Sequence, residues 1–143
     1  MRFTLEELQA FLDEHFPQGA AYGALQDLGD GWAEMKLDVD DGHLRPGGTV
    51  SGPAMMGLAD VTLYAALLSR IGPEPLAVTS NLNINFLRKP VAHKPIRARG
   101  TMLKVGRTMG VGEVFLYSEG SDEPVAHSTI TYAIPLKRWG HEG

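Results

Sequence analysis

The chain is built around the sequence RPGGTVSGPAMMGLADVTLYAALLSRIG, which occupies residues 45–72. A glycine-rich segment leads to a proline, and residues 54–68 that follow are apolar except at Gly57, Asp60 and Thr62. A helix of this composition has no polar face, so it is predicted to be buried in the core. A transmembrane helix needs roughly 20 apolar residues with few or no charges, and Asp60 in the middle of the run argues against one.

Length and composition restrict the class of protein. A chain of 143 residues fits one domain with a single core, and we expect residues 1–143 to form it. The absence of cysteine excludes disulfides and thiolate zinc sites. The amino terminus lacks the basic-then-apolar order of a secretory signal, so a cytoplasmic location is expected. A net charge of −4 argues against a general nucleic-acid-binding protein, because such domains carry an excess of Lys and Arg.

The positive charge is concentrated in one part of the chain. Residues 88–107 contain seven of the thirteen Lys and Arg residues and no acid. An acidic protein with one purely basic segment is expected to bind an anionic partner at that segment.

Periodicity predicts two helices and six strands. Thr4 and Glu7 form a capping box ahead of a short amphipathic helix at residues 5–15, within a helical region of about 4–16. The second helix is the apolar run. Alternating apolar and polar residues, separated by turns that contain glycine, predict the strands at residues 24–28, 32–37, 76–86, 96–105, 108–118 and 124–134.

These elements fit an α+β architecture in which a curved antiparallel sheet wraps around the central apolar helix. One sheet cannot cover a helix that is apolar on all sides, so a second subunit or the N-terminal helix must close the remaining side. In the strand at residues 76–86, strict alternation places Leu82 on the half-buried face and Thr79 on the other face. The tail at residues 136–143 has no visible partner and is expected to fray.

Asp60 is the first candidate for chemistry. A carboxylate in an apolar helix costs several kcal/mol unless it is paired or neutralised, and no Lys, Arg or His lies within a turn of it. Acids in such surroundings often act in catalysis. The structural alternative is a buried acid that caps a backbone group, or one at a wet subunit interface.

The start of the central helix is the second candidate. Pro53 suits the first turn of a helix and Gly52 is tolerated beside it. The free N–H groups there could polarise an acyl carbonyl in the manner of an oxyanion hole. The alternative is ordinary capping, with Ser51 supplying the hydroxyl.

These two candidates cannot easily meet within one chain. Eight residues at 1.5 Å each separate Gly52 from Asp60 by roughly 12 Å along the helix axis, whereas both groups must approach one carbon to act together. A shared site therefore requires two antiparallel central helices, with Gly52 from one chain and Asp60 from the other.

Three motifs in the chain resemble those of the hotdog-fold acyl-CoA thioesterases of the phenylacetate-degradation type. They are HLRPGGTVSGP at residues 43–53, LAD at residues 58–60 and NINFLRKP at residues 83–90. The resemblance covers about residues 20–135. It implies a hotdog fold of about six strands around the central helix, and dimers that are often paired into tetramers.

The resemblance also implies a reaction, namely hydrolysis of an acyl-CoA thioester at the boundary between subunits. It gives Asp60 the role of base or nucleophile, and it gives the backbone N–H of Gly52 the role of holding the thioester carbonyl. Thr79 would position the attacking water. No metal or separate cofactor is implied, because coenzyme A is part of the substrate.

Three positions depart from the family's pattern. Ser51, Gly52 and Pro53 stand where the family usually has His-Gly-Gly, and Arg45 stands where many members have Asn. We interpret the chain as a variant with altered substrate preference and keep Ser51 among the catalytic candidates. The residues expected to bind the substrate are Arg45, Gly48, Pro53 and Met56.

Coenzyme A carries three phosphates, so the resemblance supplies an anionic partner for the basic segment. Arg88 and Lys89 should project from the end of a strand, while Lys104 and Arg107 flank a turn at Gly106. We expect these four cations to bind the phosphates as a group. A solvated surface is the alternative for any one of them.

Two other functions remain open. The altered residues Ser51 and Pro53 also suit a non-catalytic module that binds or senses acyl-CoA. A hotdog acyl dehydratase would need a His working beside an acid, and the central helix contains no His.

Overall fold

The computed structural model describes residues 3–40, 43–45 and 49–139. In chain order these residues form α1 Leu5–His15, a 3-10 turn Pro17–Ala21, β1 Ala24–Gly29, β2 Trp32–Leu37, β3 Leu44–Arg45, β4 Thr49–Val50, α2 Gly52–Ile71, β5 Val78–Phe86, β6 Ile96–Val105, β7 Met109–Ser118 and β8 Pro124–Ala133.

Six strands form one antiparallel sheet in the order β1-β2-β6-β7-β8-β5. The central helix α2 packs against this sheet, and β3 and β4 form a separate ribbon just before α2. The predicted α+β arrangement, including the short N-terminal helix, is confirmed. The 3-10 turn and the β3–β4 ribbon were not predicted, because segments of two to five residues are too short to show a period.

Local sequence sets the ends of α2. Ser51 Oγ accepts a hydrogen bond of 3.3 Å from the N–H of Ala54, and Pro53 lies in the first turn, where its missing N–H costs no intrahelical bond. At the other end, Gly72 has φ 86°, a left-handed conformation that favours glycine. Its N–H donates to the carbonyl of Leu68 at 2.8 Å and closes the last turn.

The body of α2 is buried, as its composition predicts. Leu58, Leu63 and Leu67 are fully inaccessible to solvent. The helix lies close to the sheet because Gly100 and Gly112 have no side chains, and a Cβ on Gly112 would lie 2.6 Å from Leu63 Cδ1. By length and composition alone α2 could cross a membrane, but 67% of its apolar window is buried inside the protein. That burial is typical of a core helix.

One strip of α2 remains partly open. Pro53, Met56, Gly57 and Asp60 recur at helical spacing and are not fully buried. The ring of Tyr22, just after the 3-10 turn, packs directly on Gly57, where a Cβ would lie 2.2 Å from Tyr22 Cδ1. The N-terminal segment therefore closes part of the side of α2 that the sheet leaves uncovered.

Strand β5 differs from the prediction in two respects. Its register shifts at Ser80, since Thr79 pairs with Tyr132 and the next paired residue is Asn81. This bulge places Thr79 on the same face as Leu82, whereas uninterrupted alternation placed the two on opposite faces. In addition, β5 is an edge strand that is exposed along most of its length rather than half-buried.

The C-terminal segment has partners that the sequence did not reveal. Arg138 Nε donates to Glu74 Oε1 at 2.8 Å, and the N–H of Trp139 donates to the same oxygen at 2.9 Å. The ring of Trp139 packs on His15 and Phe11 of α1, with centroid distances of 5.3 and 6.1 Å. Arg138 and Trp139 thus depart from the expectation of a frayed tail, while residues 140–143 lie outside the described part of the chain.

Candidate active site

Asp60 is half-buried, and two hydroxyl groups donate to its carboxylate. Thr79 Oγ1, on β5, donates to Asp60 Oδ1 at 2.7 Å, and the hydroxyl of Tyr132, on β8, approaches the same oxygen at 2.5 Å. A carboxylate in apolar surroundings is costly unless it is hydrogen-bonded. The two hydroxyls therefore explain how the fold accommodates an acid in its central helix.

The other carboxylate oxygen of Asp60, Oδ2, is open. No described residue donates a hydrogen bond to it. Among the described side chains, Glu74 Oε2 is the polar atom that is buried and has no hydrogen-bond partner. Asp60 Oδ2 also has no described partner but is not buried, so it is accessible from outside the core. It can accept a proton from a molecule bound beside it, or attack that molecule.

Tyr132 is a site residue that the sequence analysis did not identify. It is 3% exposed, and its ring stacks on Tyr64 with a centroid distance of 5.9 Å. Burial and then the charge of Asp60 raise the pKa of Tyr132 well above its ordinary value, so its hydroxyl remains a donor at neutral pH. The sequence contained a feature that could have identified Tyr132, because a tyrosine on the buried face of a strand needs a hydrogen-bond partner for its hydroxyl.

A cavity of about 730 Å³ opens beside Asp60. Its lining is mostly apolar and comprises His15, Phe16, Gln18, Tyr22, Pro53, Met56, Gly57, Asp60, Val61, Tyr64, Pro75, Ala77, Val78, Thr79, Leu82 and Tyr132. Pro53 and Met56, which were expected to bind the substrate, are among these residues. A cavity of this size with few polar groups is typical of a small-molecule site. Within the described ranges, no three His, Asp or Glu side chains are grouped so that they could hold a metal ion.

Gly52 begins α2 and Ser51 caps it. The N–H of Gly52 has no intrahelical acceptor because it lies in the first turn, and no other described residue accepts from it. The ring of Phe86 lies over this position, since a Cβ on Gly52 would be 3.3 Å from Phe86 Cζ. Roughly 12 Å of helix separates Gly52 from Asp60, so the two groups do not converge within one subunit.

A second cleft, of about 530 Å³, lies beside the start of α2. Its lining consists of Arg45, Val50, Phe86, Leu87, Arg88, Lys89 and Pro90. Arg88 pairs with Glu123 at 3.5 Å and donates to the carbonyl of Pro124. With Arg45 and Lys89 it makes a cationic cleft, which suits an anionic group of a ligand.

Lys104 and Arg107 do not line this cationic cleft. They lie at the turn between β6 and β7, at the opposite end of the sheet. The strand pairings place Ala98 of β6 in the same row across the sheet as Phe86 of β5. Lys104 is six residues further along β6, which is roughly 20 Å away from that row. Within one subunit the four predicted CoA-binding cations therefore form two separate pairs. Gly48 lies outside the described residues.

Comparison with known proteins identifies related folds and sequences. A crystal structure of a "putative thioesterase" from Silicibacter sp. TM1040 is 47% identical over 93% of this chain and 92% of that one, with a TM-score of 0.86. A thioesterase from Haemophilus influenzae is 26% identical over 99% of this chain and 97% of that one, with a TM-score of 0.78.

The phenylacetate-degradation type is also represented. A mutant of the phenylacetic acid degradation protein PaaI from Thermus thermophilus is 27% identical over 81% of this chain and 96% of that one, with a TM-score of 0.71. These similarities confirm the predicted hotdog fold. Residues 47–133, more than half of the chain, match the family model described as the thioesterase superfamily. The chain is therefore a member of the thioesterase superfamily.

Proposed function

We propose that the protein is an acyl-CoA thioesterase, which hydrolyses a CoA thioester to a free acid and coenzyme A. The observation that carries this proposal is the state of Asp60, whose Oδ1 is held by two hydroxyls while Oδ2 is open beside an apolar cavity. Membership of the superfamily supports a thioester hydrolase role in general. The geometry of Asp60 supports a mechanism in which a single carboxylate performs the proton transfers.

The proposed reaction begins with a water molecule in the cavity. Asp60 Oδ2 accepts a proton from this water while the water oxygen bonds to the thioester carbonyl carbon. The carbonyl oxygen takes up the negative charge and accepts a hydrogen bond from the N–H of Gly52. The carbon–sulfur bond then breaks, coenzyme A leaves as a thiolate, and the proton on Asp60 passes to the thiolate. These steps require no metal ion.

Direct attack by Asp60 Oδ2 is the alternative route in the same site. It would form a mixed anhydride between Asp60 and the acyl group, which water would then hydrolyse. A single turnover in ¹⁸O-labelled water detects an anhydride that is hydrolysed at the aspartyl carbon. Attack by water places the label in the released acid alone, whereas hydrolysis of the anhydride at the aspartyl carbon places it in Asp60.

A dimer would bring the two halves of the proposed site together. Two antiparallel α2 helices place Gly52 of one protomer near Asp60 of its partner, and two-fold symmetry gives two equivalent sites. Strand β5 offers an edge for this association, because Val78 and Phe86 are 58% and 49% exposed and its backbone is unpaired on one side. The pairing of dimers into tetramers remains a prediction from the family resemblance.

Each opening is assigned to one half of the substrate. The cavity beside Asp60 would hold the acyl group against Pro53 and Met56. The cationic cleft, which contains Arg45, Arg88 and Lys89, would hold phosphates of coenzyme A. The other predicted pair of cations lies roughly 20 Å away along β6, so it could reach the same phosphates only from the partner subunit.

The proposed function is tested by measuring thiol release from short, medium, long and aryl acyl-CoAs. The wild-type protein should hydrolyse at least one class, and Asp60→Asn should lower kcat by about 100-fold or more. Asp122→Asn removes an exposed acid that does not line the cavity, so it serves as the matched control. Near-normal turnover by a folded Asp60→Asn variant would remove Asp60 from the mechanism.

A non-catalytic acyl-CoA-binding module is the second candidate. Ser51 Oγ is engaged with the N–H of Ala54, and Pro53 has no N–H, so the start of α2 offers few polar contacts to a thioester. Tight binding of a CoA thioester in equilibrium dialysis, with no thiol released from any member of the panel, would favour this candidate over the enzyme.

A further inference from the structure

We propose that Tyr132 is a positioning residue that, together with Thr79, makes the two oxygens of Asp60 unequal, so that Oδ1 is held and Oδ2 reacts. This inference rests on the proposed function, because it assigns the reacting atom within that site. It adds a residue that neither the sequence motifs nor the family match supplied.

The placement of Tyr132 leaves its hydroxyl little freedom. The residue is on the inner face of β8, is 3% exposed, and stacks on Tyr64. Its hydroxyl lies 2.5 Å from Asp60 Oδ1 and 2.7 Å from the backbone carbonyl oxygen of Asp60. A tyrosine hydroxyl has one proton to donate, and both acceptors of its hydrogen bonds belong to Asp60, with the hydroxyl of Thr79 as a further polar neighbour. The hydroxyl is therefore committed to this one residue.

Thr79 completes the asymmetry. Its hydroxyl donates to the same oxygen, Asp60 Oδ1, at 2.7 Å, because the bulge at Ser80 turns Thr79 toward α2. The terminal torsion of an aspartate is broad and roughly two-fold, so an unrestrained carboxylate can exchange its two oxygens. Two donors on one oxygen oppose that exchange. Oδ2 is then kept toward the cavity with its lone pairs unoccupied.

The two hydroxyls also stabilise the charge that a base must carry. Hydrogen bonds donated to a carboxylate favour its ionised form. The raised pKa of Tyr132, which results from burial and then from the charge of Asp60, keeps the phenol protonated over the working pH range. His15 of α1, Tyr22 after the 3-10 turn and Tyr64 of α2 are the other titratable groups that line the cavity. They are unchanged in the variants below, so the variants differ from the wild type only in the donors to Asp60.

Tyr132→Phe is the direct test, because it keeps the ring that stacks on Tyr64 and removes only the hydroxyl. We expect kcat to fall roughly 10- to 100-fold, the effect of losing one hydrogen bond to a charged group, with KM changed less than about twofold. Thr79→Val should act in the same direction, while Thr79→Ser should retain activity because it keeps the hydroxyl.

Tyr117→Phe is the matched control, since Tyr117 is on the outer face of the sheet beneath Arg97 and does not line the cavity. It should leave kcat and KM as in the wild type. A purely structural role for Tyr132 would lower the melting temperature and change kcat and KM together, with Thr79→Ser no more active than Thr79→Val. That result would overturn the inference.

A measurement that needs no turnover separates this inference from the proposed function. In ¹³C NMR at neutral pH, the carboxyl resonance of Asp60 should move in Tyr132→Phe relative to the wild type, because the carboxylate has lost a donated hydrogen bond. An unchanged resonance, with kcat within about twofold of wild type, would refute the role of Tyr132 even if Asp60→Asn is inactive. Conversely, full activity in Asp60→Asn would refute the proposed function, and the NMR comparison would still decide whether Tyr132 holds Asp60.

Discussion

At the scale of single residues, two buried tyrosines make stability depend on alkaline pH. Burial and then the charge of Glu74 raise the pKa of Tyr64 to about 12, and the pKa of Tyr132 is raised well above its ordinary value. Both phenols bind their protons more tightly in the folded protein than in the unfolded chain, whose tyrosines titrate near pH 10. Their contribution to stability is therefore complete below about pH 10 and is lost as the pH rises through the folded values.

The melting temperature should accordingly fall between about pH 10 and pH 12. Tyr64→Phe and Tyr132→Phe should each make this fall shallower, because the phenylalanine does not ionise in the unfolded chain. Thermal unfolding followed by circular dichroism at several pH values measures the effect. If the melting temperature falls equally steeply with pH in the wild type and in both variants, the pKa values of the two buried phenols are not raised by folding.

The sequence predicted the central acid but not the way it is held. Asp60 was evident because it is the one acid in an apolar run. The contact with Thr79 depends on the bulge at Ser80, which strict alternation cannot reveal. The contact with Tyr132 joins residues 72 positions apart, so it depends on the order of strands in the sheet rather than on any local pattern.

At the scale of elements, a buried ion pair ties the C-terminal segment to the loop after α2. Glu74 is fully buried, and Arg138 supplies its cationic partner. Removing one partner of a buried pair typically costs about 3–5 kcal/mol, because the remaining charge is uncompensated. Arg138→Met should destabilise the protein toward the lower end of this range, since the N–H of Trp139 still donates to Glu74.

Urea unfolding checks this prediction through the shift of the denaturation midpoint. Lys137→Met, at an exposed neighbouring position, is the matched control and should leave the midpoint within experimental scatter. The double change Glu74→Gln with Arg138→Met should recover part of the loss, because no buried charge remains unpaired. An Arg138→Met variant as stable as the wild type would show that the pair does not anchor the segment.

The long elements could be predicted because their hydrophobic pattern repeats over enough residues to be recognised. The helix at Leu5–His15 and the strand Ile96–Val105 have the predicted bounds. The Pro17–Ala21 turn was missed, although it supplies one wall of the cavity, because no period extends over five residues. The exposure of Val78–Phe86 was also missed, since alternation shows which residues share a face but not whether a strand is at the edge of its sheet.

At the scale of the whole molecule, one subunit holds all the described parts of the site but does not assemble them. Eight residues of helix, roughly 12 Å along the axis, separate Gly52 from Asp60. An exposed edge strand and an apolar helix that is incompletely covered are surfaces that the proposed dimer would cover. The proposal of a site shared by two subunits could be made from the sequence, because it follows from the length of helix between Gly52 and Asp60.

The most direct test of the account is complementation between two inactive variants. One is Asp60→Asn. The other is Gly52→Pro with Pro53→Ala, which removes the N–H at position 52 while keeping one proline in the first turn of α2. Pro53→Ala alone is the reference for the second variant, because it makes the same change in the acyl cavity but keeps the N–H at position 52, and its kcat should therefore be well above that of the double change. The two inactive proteins are unfolded together in equal amounts, refolded, and assayed for thiol release.

If each site combines Gly52 of one protomer with Asp60 of its partner, a mixed dimer has one doubly altered site and one intact site. Random pairing makes half of the dimers mixed, so the mixture should recover about one quarter of the wild-type activity. If the mixture remains as inactive as its components while mixed dimers are shown to form, the site does not span two subunits and the account is wrong.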